Sequence, residues 1–202
     1  VTQFYSASAN TLGVIVGGTQ DNGTLRYTGN AQDWTSMFGG DGGYTASDPT
    51  DPGYFYSEYV NLGIVRSTDS GSTSGYIYCN PAPTSANGGP CVPPATGILD
   101  AFNGANFIAP FILDPNNSNT MLAGGLSLWR SNDIKAAGLP TWSAVKPPSS
   151  DRRPAPRLGN PNPISAISVS ENNSDFILIG HNDGQIFLTF DGTSAGPTWV
   201  RI

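Results

Sequence analysis

Two acidic turns in the first third of the chain carry the residues best suited to chemistry. The segment Gln20-Asp21-Asn22-Gly23 gathers a carboxylate and two amides, groups that suit polyol hydroxyls or a hard cation. The segment 39–43 sets Asp41 among four glycines, so that its backbone can approach a ligand closely. A glycosidase needs two carboxylates about 5 to 10 Å apart. The candidate catalytic pair is therefore Asp21 and Asp41. The candidate ligand contacts around this pair are Gln20, Asn22, Tyr44 and Glu58.

A purely structural interpretation of the same two turns stays open. Asn-Gly and Asp-Gly dipeptides form hairpin turns, and a Gly-rich link can simply bridge two repeats. His181 is the single histidine, which excludes a His-based triad or a multi-His metal site within this chain, and we expect it to be a surface turn residue. No cofactor is expected. Calcium, held by the Asp-Asn-Gly turns, is the one metal that the sequence leaves open.

The composition predicts an all-β protein. Charged residues make up only 12% of the chain, while 25 Gly and 17 Pro supply frequent turns, and apolar residues come in short runs typical of strands. The net charge of -6 would repel a phosphate backbone, so nucleic acid is not an expected partner. No apolar stretch reaches the roughly 20 residues that span a bilayer. Because the sequence starts at Val1 without an initiator Met, we expect that a signal peptide or an upstream region has been removed.

Four segments of the chain align strand for strand and predict four blades of a β-propeller. The predicted first strands are 4–8, 44–48, 108–114 and 164–169, and the second are 14–18, 54–58, 121–125 and 176–180. The third are 24–27, 64–67, 128–131 and 186–189, and the fourth are 34–38, 76–78, 142–145 and 199–202. We predict one domain, 1–202, with antiparallel blades at about 1–39, 40–80, 107–147 and 164–202. The segments 80–106 and 147–163 are predicted to be loop insertions.

The turn between the third and fourth strands carries the pattern Ser/Thr-x-Asp, followed in two repeats by Thr-Trp. It resembles the Asp-box (BNR repeat) of secreted propellers of the xyloglucanase, sialidase and sortilin type. The phrases 17–24 and 39–44 resemble xyloglucanase-related members of that group. The resemblance implies structural roles, as turn and packing residues, for Ser67, Asp69, Gly71, Ser131, Asp133, Trp142, Thr189, Asp191 and Trp199.

The resemblance also implies a function, with two alternatives. The first is an extracellular, carbohydrate-directed propeller that binds a glycan or cleaves it as a glycoside hydrolase, with a polysaccharide as partner. The second is a noncatalytic scaffold for protein interaction or assembly. Sialidases need a cluster of three arginines, but Arg26, Arg66 and Arg130 share one repeat column, which favours packing between blades. Propellers of this type usually have six or more blades. The chain is therefore predicted to be part of a larger ring, a half that forms a homodimer, or a four-bladed propeller.

The two cysteines bracket the first insertion. We predict a disulfide between Cys79 and Cys91 that closes this loop and stabilises the fold by roughly 2 to 3 kcal/mol. Two free buried thiols are the alternative. A disulfide, low charge and many Asn and Gly residues favour a secreted or periplasmic setting.

Overall fold

The protein is all-β and consists of four antiparallel sheets of four strands each. The computed structural model describes residues 2–79, 97–148 and 162–202. Blade 1 contains β1 (Phe4–Ala9), β2 (Ile15–Thr19), β3 (Gly23–Tyr27) and β4 (Trp34–Phe38). Blade 2 contains β5 (Thr45–Ser47), β6 (Phe55–Glu58), β7 (Ile64–Ser67) and β8 (Gly75–Tyr76). Blade 3 contains β9 (Phe111–Asp114), β10 (Asn117–Gly124), β11 (Leu128–Ser131) and β12 (Ser143–Lys146). Blade 4 contains β13 (Ile164–Ser170), β14 (Asn173–His181), β15 (Ile186–Thr189) and β16 (Val200–Arg201).

Each strand pairs with the strand that follows it, so every blade is a simple up-and-down sheet. Short turns allow this order because antiparallel neighbours need only a few connecting residues. The second strands lie inside the sheets, and every residue of β6 is buried. Both faces of an inner blade are therefore covered, as in a propeller. These observations confirm the predicted all-β class and the four four-stranded sheets.

The apolar core lies between the sheets rather than inside one of them. Val16 and Met37 of blade 1 pack against Phe55 and Val65 of blade 2. A second cluster joins blades 2 and 3, and it includes Tyr56, Phe111 and Trp129. The third cluster joins blades 3 and 4, and its members include Leu122, Leu128, Val145, Ile164, Ile177 and Ile179. Each fully buried aliphatic side chain of this kind contributes about 1.5 to 3 kcal/mol. The hydrophobic effect therefore fixes the order of the blades as well as their sheets.

Three arginines connect successive blades. The Nε of Arg26 in blade 1 donates to the Ser70 carbonyl of blade 2 at 2.6 Å. Arg66 in blade 2 donates to the Ile134 carbonyl of blade 3 at 2.6 Å, and Arg130 in blade 3 donates to the Gly192 carbonyl of blade 4. The predicted role of these arginines in packing between blades is confirmed. The same repeat column in blade 4 holds Leu188.

Several strand bounds differ from the predicted ones. The first strand of blade 3 begins at Phe111 instead of residue 108, because Pro110 has no N–H to donate to a ladder. The fourth strand of blade 2 covers only Gly75–Tyr76. Trp142 and Trp199 stand immediately before their strands. Their indoles extend across the junction, since each Nε1 donates to a carbonyl of the preceding blade, Ile77 at 3.2 Å and Val145 at 3.1 Å.

The prediction that His181 is a surface turn residue is wrong. His181 is the last residue of β14 and is only 3% exposed. Its Nδ1 donates to the Asn162 carbonyl at 2.8 Å, and its ring packs edge-on against Phe187. Burial lowers the pKa of His181. The strand continues past Gly180, so the turn starts one residue later than its glycine suggested.

Parts of the two insertions lie outside the described residues. Cys79 is buried, but Cys91 is outside the described residues, so the pairing of the two cysteines stays a prediction. No helix in the described parts of the chain is long and apolar enough to cross a membrane.

Candidate functional site

The two acidic turns meet at the junction of blades 1 and 2. The first joins β2 to β3, and the second leads from β4 to β5. The backbone N–H of Asp21 donates to Oδ1 of Asp41 at 2.9 Å. The sequence left the distance between the turns open. The structure brings them into direct contact, with Asp41 holding the turn that carries Asp21.

Close backbone packing holds Asp41 in place. The N–H of Gly42 donates to the Thr19 carbonyl, and the N–H of Gly43 donates to the Glu58 carbonyl, both at 2.8 Å. A Cβ added to Gly18 would overlap the backbone of Gly42 and Gly43. Only glycine allows this approach, because any side chain would separate the strands. Asp41 therefore stands on a rigid support.

Side chains beside the two carboxylates face solvent. Gln20, Asp21 and Asn22 are exposed, and Asp41 is half-buried. The Asn22 side-chain amide donates to the Gln20 carbonyl at 2.9 Å, which fixes the first turn further. Asp21 itself has a positive φ of 61°, a conformation that Asp tolerates better than most residues. The result is an exposed group of carboxylates and amides on ordered backbone.

Tyr59 adds an aromatic ring that the sequence reasoning did not single out for this site. Its ring lies against Gly40, where an added Cβ would overlap it, and its centroid is 6.1 Å from that of Phe38. Gly40 has a φ of +82°, so only glycine fits both the turn and the ring. A glycine next to an acid, with an aromatic residue directly after the second strand of the next repeat, was the available signal. We call Gln20, Asp21, Asn22, Asp41 and Tyr59 the polar site.

Glu58 lies behind the polar site and is fully buried. Its Oε1 accepts the N–H groups of Leu62 at 3.0 Å and Ala109 at 2.9 Å, which joins blade 2 to the segment before blade 3. Burial raises the pKa of Glu58 to about 8, although these backbone N–H groups lower it. Tyr44 is half-buried, and its carbonyl accepts the N–H of Glu58 at 2.9 Å. Glu58 thus bonds to backbone, while the exposed groups are those of the polar site.

The acid turns lie at the other end of the third strands. We use this name for Ser67–Thr73, Ser131–Thr141 and Thr189–Thr198. In the first, Asp69 accepts the Ser67 hydroxyl at 2.7 Å and the Thr73 N–H at 2.8 Å. The carboxylates of Asp133 and Asp191 have the corresponding Ser or Thr partners on both sides. Burial raises the pKa of Asp69, but hydrogen bonds from Thr73 and Ser67 outweigh it and lower the pKa to about 2. These carboxylates therefore close turns, far from the polar site.

The polar site offers hydrogen-bond acceptors, amide donors and one ring face. Such groups bind hydroxyl-rich molecules, with carboxylates and amides taking hydroxyls and an aromatic ring covering an apolar face. Among the described residues, no group of three or more His, Cys, Asp or Glu side chains is arranged to hold a metal ion.

Comparison with solved structures identifies the fold. A GH74 enzyme from Niastella koreensis superposes with a TM-score of 0.57 at 20% identity, over 93% of this chain and 27% of that one. The GH74 xyloglucanase of Xanthomonas campestris gives 0.55 at 12% identity, over 94% and 28% of the two chains. An ancestral GH74 enzyme gives 0.51 at 13% identity, over 99% and 31%. No protein-family model and no curated protein matches the sequence. The chain thus shares the propeller fold and spans less than a third of the length of these enzymes.

Proposed function

We propose that the protein is a carbohydrate-directed β-propeller that binds a glycan at the polar site. The observation that carries this proposal is the bond from the Asp21 N–H to Oδ1 of Asp41. It places two acidic turns side by side at the surface, with two exposed amides and the Tyr59 ring beside them. A preorganised group of this kind loses little conformational entropy when a sugar binds.

Binding is favoured over hydrolysis by the way the two acids are connected. A glycosidase holds its carboxylates on either side of the scissile bond, about 5 to 10 Å apart, so that one can act as acid and the other as base or nucleophile. Here the Asp41 carboxylate is hydrogen-bonded to the turn that carries Asp21. Both acids therefore approach a ligand from neighbouring turns on one surface, which suits hydrogen bonding to hydroxyls.

The similar solved structures direct the choice of glycan. One of them is a xyloglucanase, so xyloglucan oligosaccharides are the first ligands to test. Cellulose-derived oligosaccharides without side chains serve as the comparison. We place this activity outside the cell, because the predicted disulfide and the low charge fit an oxidising compartment.

Isothermal titration calorimetry with xyloglucan oligosaccharides tests the proposal. Asp21→Asn and Asp41→Asn remove one charge each, and the amide oxygen of the second variant can still accept the Asp21 N–H. We expect each variant to weaken binding about tenfold, the effect of one lost charge-assisted hydrogen bond of about 1.5 kcal/mol. Asp33→Asn is the matched control, since Asp33 is an exposed acid in the β3–β4 connection at the opposite end of blade 1. Equal affinity in the wild type and all three variants would rule out the polar site as the glycan-binding site.

A reducing-end assay on the same oligosaccharides separates binding from catalysis. Binding without release of new reducing ends supports the glycan-binding proposal. If the wild type releases new reducing ends and Asp21→Asn or Asp41→Asn abolishes this release, the glycoside hydrolase alternative is established.

A second candidate function is assembly, and the outer face of blade 4 favours it. Directly paired residues share a sheet face, so Gly180 and Ile186 lie on one face with Leu178 and Leu188. The neighbouring Val200 is 51% exposed, and Ile186 is 40% exposed. Ile177 and Ile179, on the opposite face, pack against blade 3. The described part of blade 4 therefore leaves one apolar face without a neighbouring sheet, which is unusual for a soluble surface.

We infer that a second copy of the chain covers this face with its blade 1. At the other junctions an arginine meets an acid turn of the next blade, but blade 4 has Leu188 in the arginine column and blade 1 has no acid turn. Blade 4 therefore lacks the arginine and blade 1 lacks the acid turn, so a contact between these two blades would leave neither group without its partner. Trp34 of blade 1 also has no preceding blade in the described structure. Its ring packs at a tilt against the rings of Phe4 and Tyr27, with centroid distances of 5.5 and 5.1 Å.

Light scattering after size-exclusion chromatography measures this assembly. The inference predicts a dimer, and Ile186→Asp should make it a monomer. Leu139→Asp, which changes an exposed leucine in the blade 3 acid turn, should leave the dimer intact. A wild-type monomer at micromolar concentration would contradict it.

A further inference from the structure

Each blade junction has a polar residue at the end of a first strand or directly after it. These residues are Asn10, Asp48 and Asp114. Their equivalence follows from the same local bond: the side-chain Oδ1 accepts the N–H two residues later, at 3.0, 2.7 and 2.9 Å respectively. Each side chain faces the next blade. The three junctions use this position in different ways.

At the first two junctions the side chain has a partner in the next blade. The Asn10 amide donates to the Pro52 carbonyl at 2.8 Å. Asp48 forms an ion pair through Oδ2 with the ammonium of Lys135. The ammonium also lies over the Tyr54 ring, 5.1 Å from its centroid. Burial raises the pKa of Asp48, but Lys135 and Thr50 outweigh this and lower it.

Blade 4 has a short side chain where blade 3 has Lys135. The Lys135 N–H donates to Oδ1 of Asn119 at 3.0 Å, and the Thr193 N–H donates to Oδ1 of Asp175 at 2.9 Å. The preceding residues make the same backbone bond, Ile134 to the Asn119 carbonyl and Gly192 to the Asp175 carbonyl. Thr193 is thus the structural counterpart of Lys135.

The aromatic wall is missing as well. Tyr54 and Thr120 each stand one residue before the position that pairs with the residue preceding the acid. Ser47, which precedes Asp48, pairs with Phe55. Leu113, which precedes Asp114, pairs with Met121. Thr120 therefore replaces Tyr54 at the junction of blades 3 and 4. Two large side chains have become threonines at this junction, while the acid, Asp114, is retained.

The space left by these two changes is a cavity of about 210 Å³ between blades 3 and 4. Its walls include Asp114, Thr120, Thr193, Leu122 and Ile177. Asp114 is only 6% exposed. Its Oδ1 accepts both the backbone and the side-chain N–H groups of Asn116. Within the described residues, Oδ2 of Asp114 accepts no hydrogen bond, whereas Oδ2 of Asp48 has the ammonium.

We propose that this cavity binds a small organic primary ammonium compound, with its ammonium on Oδ2 of Asp114. The protein itself fills the equivalent position with a lysine side chain, so the chemistry of the ligand follows from the chain's own second copy of the site. The aliphatic part of the ligand lies along Leu122 and Ile177. Asn132 and Thr193 line the same cavity and can bind hydroxyls on the ligand.

The arginine in the cavity wall does not oppose a cationic ligand. Arg130 donates to the carbonyls of Gly192 and Ser194. Arg66 binds the carbonyls of Ile134 and Gly138 in the same way at the previous junction. At that junction the Lys135 ammonium is accommodated beside Arg66, because the Asp48 carboxylate neutralises the charge of the ammonium.

Thermal unfolding with n-butylammonium chloride tests the proposal. At about ten times its Kd, n-butylammonium should raise the wild-type Tm by about 3 °C, while n-butanol and matched sodium chloride should not. Asp114→Asn, which keeps an acceptor oxygen for Asn116, should abolish the shift. Thr193→Lys should raise the Tm without ligand and also abolish the shift, because its own ammonium then fills the cavity.

A gain-of-site variant gives the matched control. Lys135→Thr removes the internal ammonium from Asp48, so n-butylammonium should produce an additional Tm increase in this variant. A shift equal in wild type and Asp114→Asn, or equal for n-butanol and n-butylammonium, would overturn the proposal. So would the absence of any shift in wild type and Lys135→Thr.

Discussion

Glu58 should make the protein less stable as the pH rises from acidic to neutral values. Burial raises its pKa from 4.5 to about 8, against the opposing effect of the N–H groups of Leu62 and Ala109. In the unfolded chain the same carboxyl ionises near 4.5. Between these values the folded state holds a proton that the unfolded state has released. Stability therefore falls as the pH rises through this range.

The size of this effect follows from the raised pKa. Each pKa unit corresponds to about 1.4 kcal/mol. Between about pH 5 and pH 7, where the folded group is protonated and the unfolded group ionised, Glu58 alone should lower the free energy of unfolding by about 2 to 3 kcal/mol. That is a large share of the stability of a typical domain, about 5 to 15 kcal/mol.

Urea unfolding of the wild type and Glu58→Gln at several pH values measures this effect. The glutamine keeps an oxygen for the Leu62 N–H but cannot ionise. The free energy of unfolding of Glu58→Gln should therefore not show the decrease with rising pH that Glu58 causes in the wild type. His181 and the other titrating groups are common to both proteins, and their contributions cancel in the difference. Asp33→Asn, an exposed acid, should follow the wild-type curve. Parallel curves for wild type and Glu58→Gln would show that Glu58 is ionised in the native state and refute this reasoning.

Three further perturbations test the structural account. Gly18→Ala should cost about 2 to 3 kcal/mol in urea unfolding, because its Cβ would overlap the Gly43 backbone, whereas Gly39→Ala has open space and should cost little. Arg66→Met keeps the aliphatic stem but leaves the Ile134 carbonyl unpaired, so it should lower the free energy of unfolding by about 1 to 3 kcal/mol; an unchanged Tm would contradict a role in joining blades. The folded state lowers the pKa of Asp69 from 3.8 to about 2, so the ionised carboxylate stabilises the fold above pH 3.8 and this stabilisation is lost as the pH falls toward 2. Asp69→Asn should lower the free energy of unfolding at neutral pH by about 1 kcal/mol, a value reduced for solvent screening. The Tm of this variant should therefore drop less than that of the wild type when the pH is lowered.

The fold could be predicted because its signals repeat. Each blade repeats the same order of short apolar runs and turn residues, so an error in one repeat is corrected by the others. The predicted second and third strands lie close to β2, β3, β6 and β7. The errors fall where local chemistry interrupts the pattern, as at Pro110, or where a strand continues past its glycine, as at His181.

The polar site could be predicted only in part. Asp21 and Asp41 were recognisable as acids in glycine-rich turns, but their contact depends on how two blades pack. The burial of Glu58 depends on the Ala109 N–H, which reaches it from another repeat. Tyr59 could be recognised only in combination with the glycine beside Asp41, because a tyrosine directly after a strand is ordinary by itself.

The cavity at Asp114 could not be predicted from one repeat. It results from Thr120 and Thr193, which lie far apart in sequence and matter only through comparison with Tyr54 and Lys135. The comparison requires an alignment of the blade 2–3 junction with the blade 3–4 junction. The equivalent hydrogen bonds in the structure provide this alignment, and the pattern of residue types in the sequence does not.

Chemical-shift mapping by NMR with ¹⁵N-labelled protein and a xyloglucan oligosaccharide tests the central claim most directly. Glycan binding at the polar site predicts the largest amide shifts at Asp21, Asn22 and Asp41, with smaller ones at Tyr59, and clearly reduced shifts in the Asp41→Asn protein at the same subsaturating concentration. Shifts confined to the acid turns or the blade 3–4 junction, or no shifts at millimolar oligosaccharide, would contradict it.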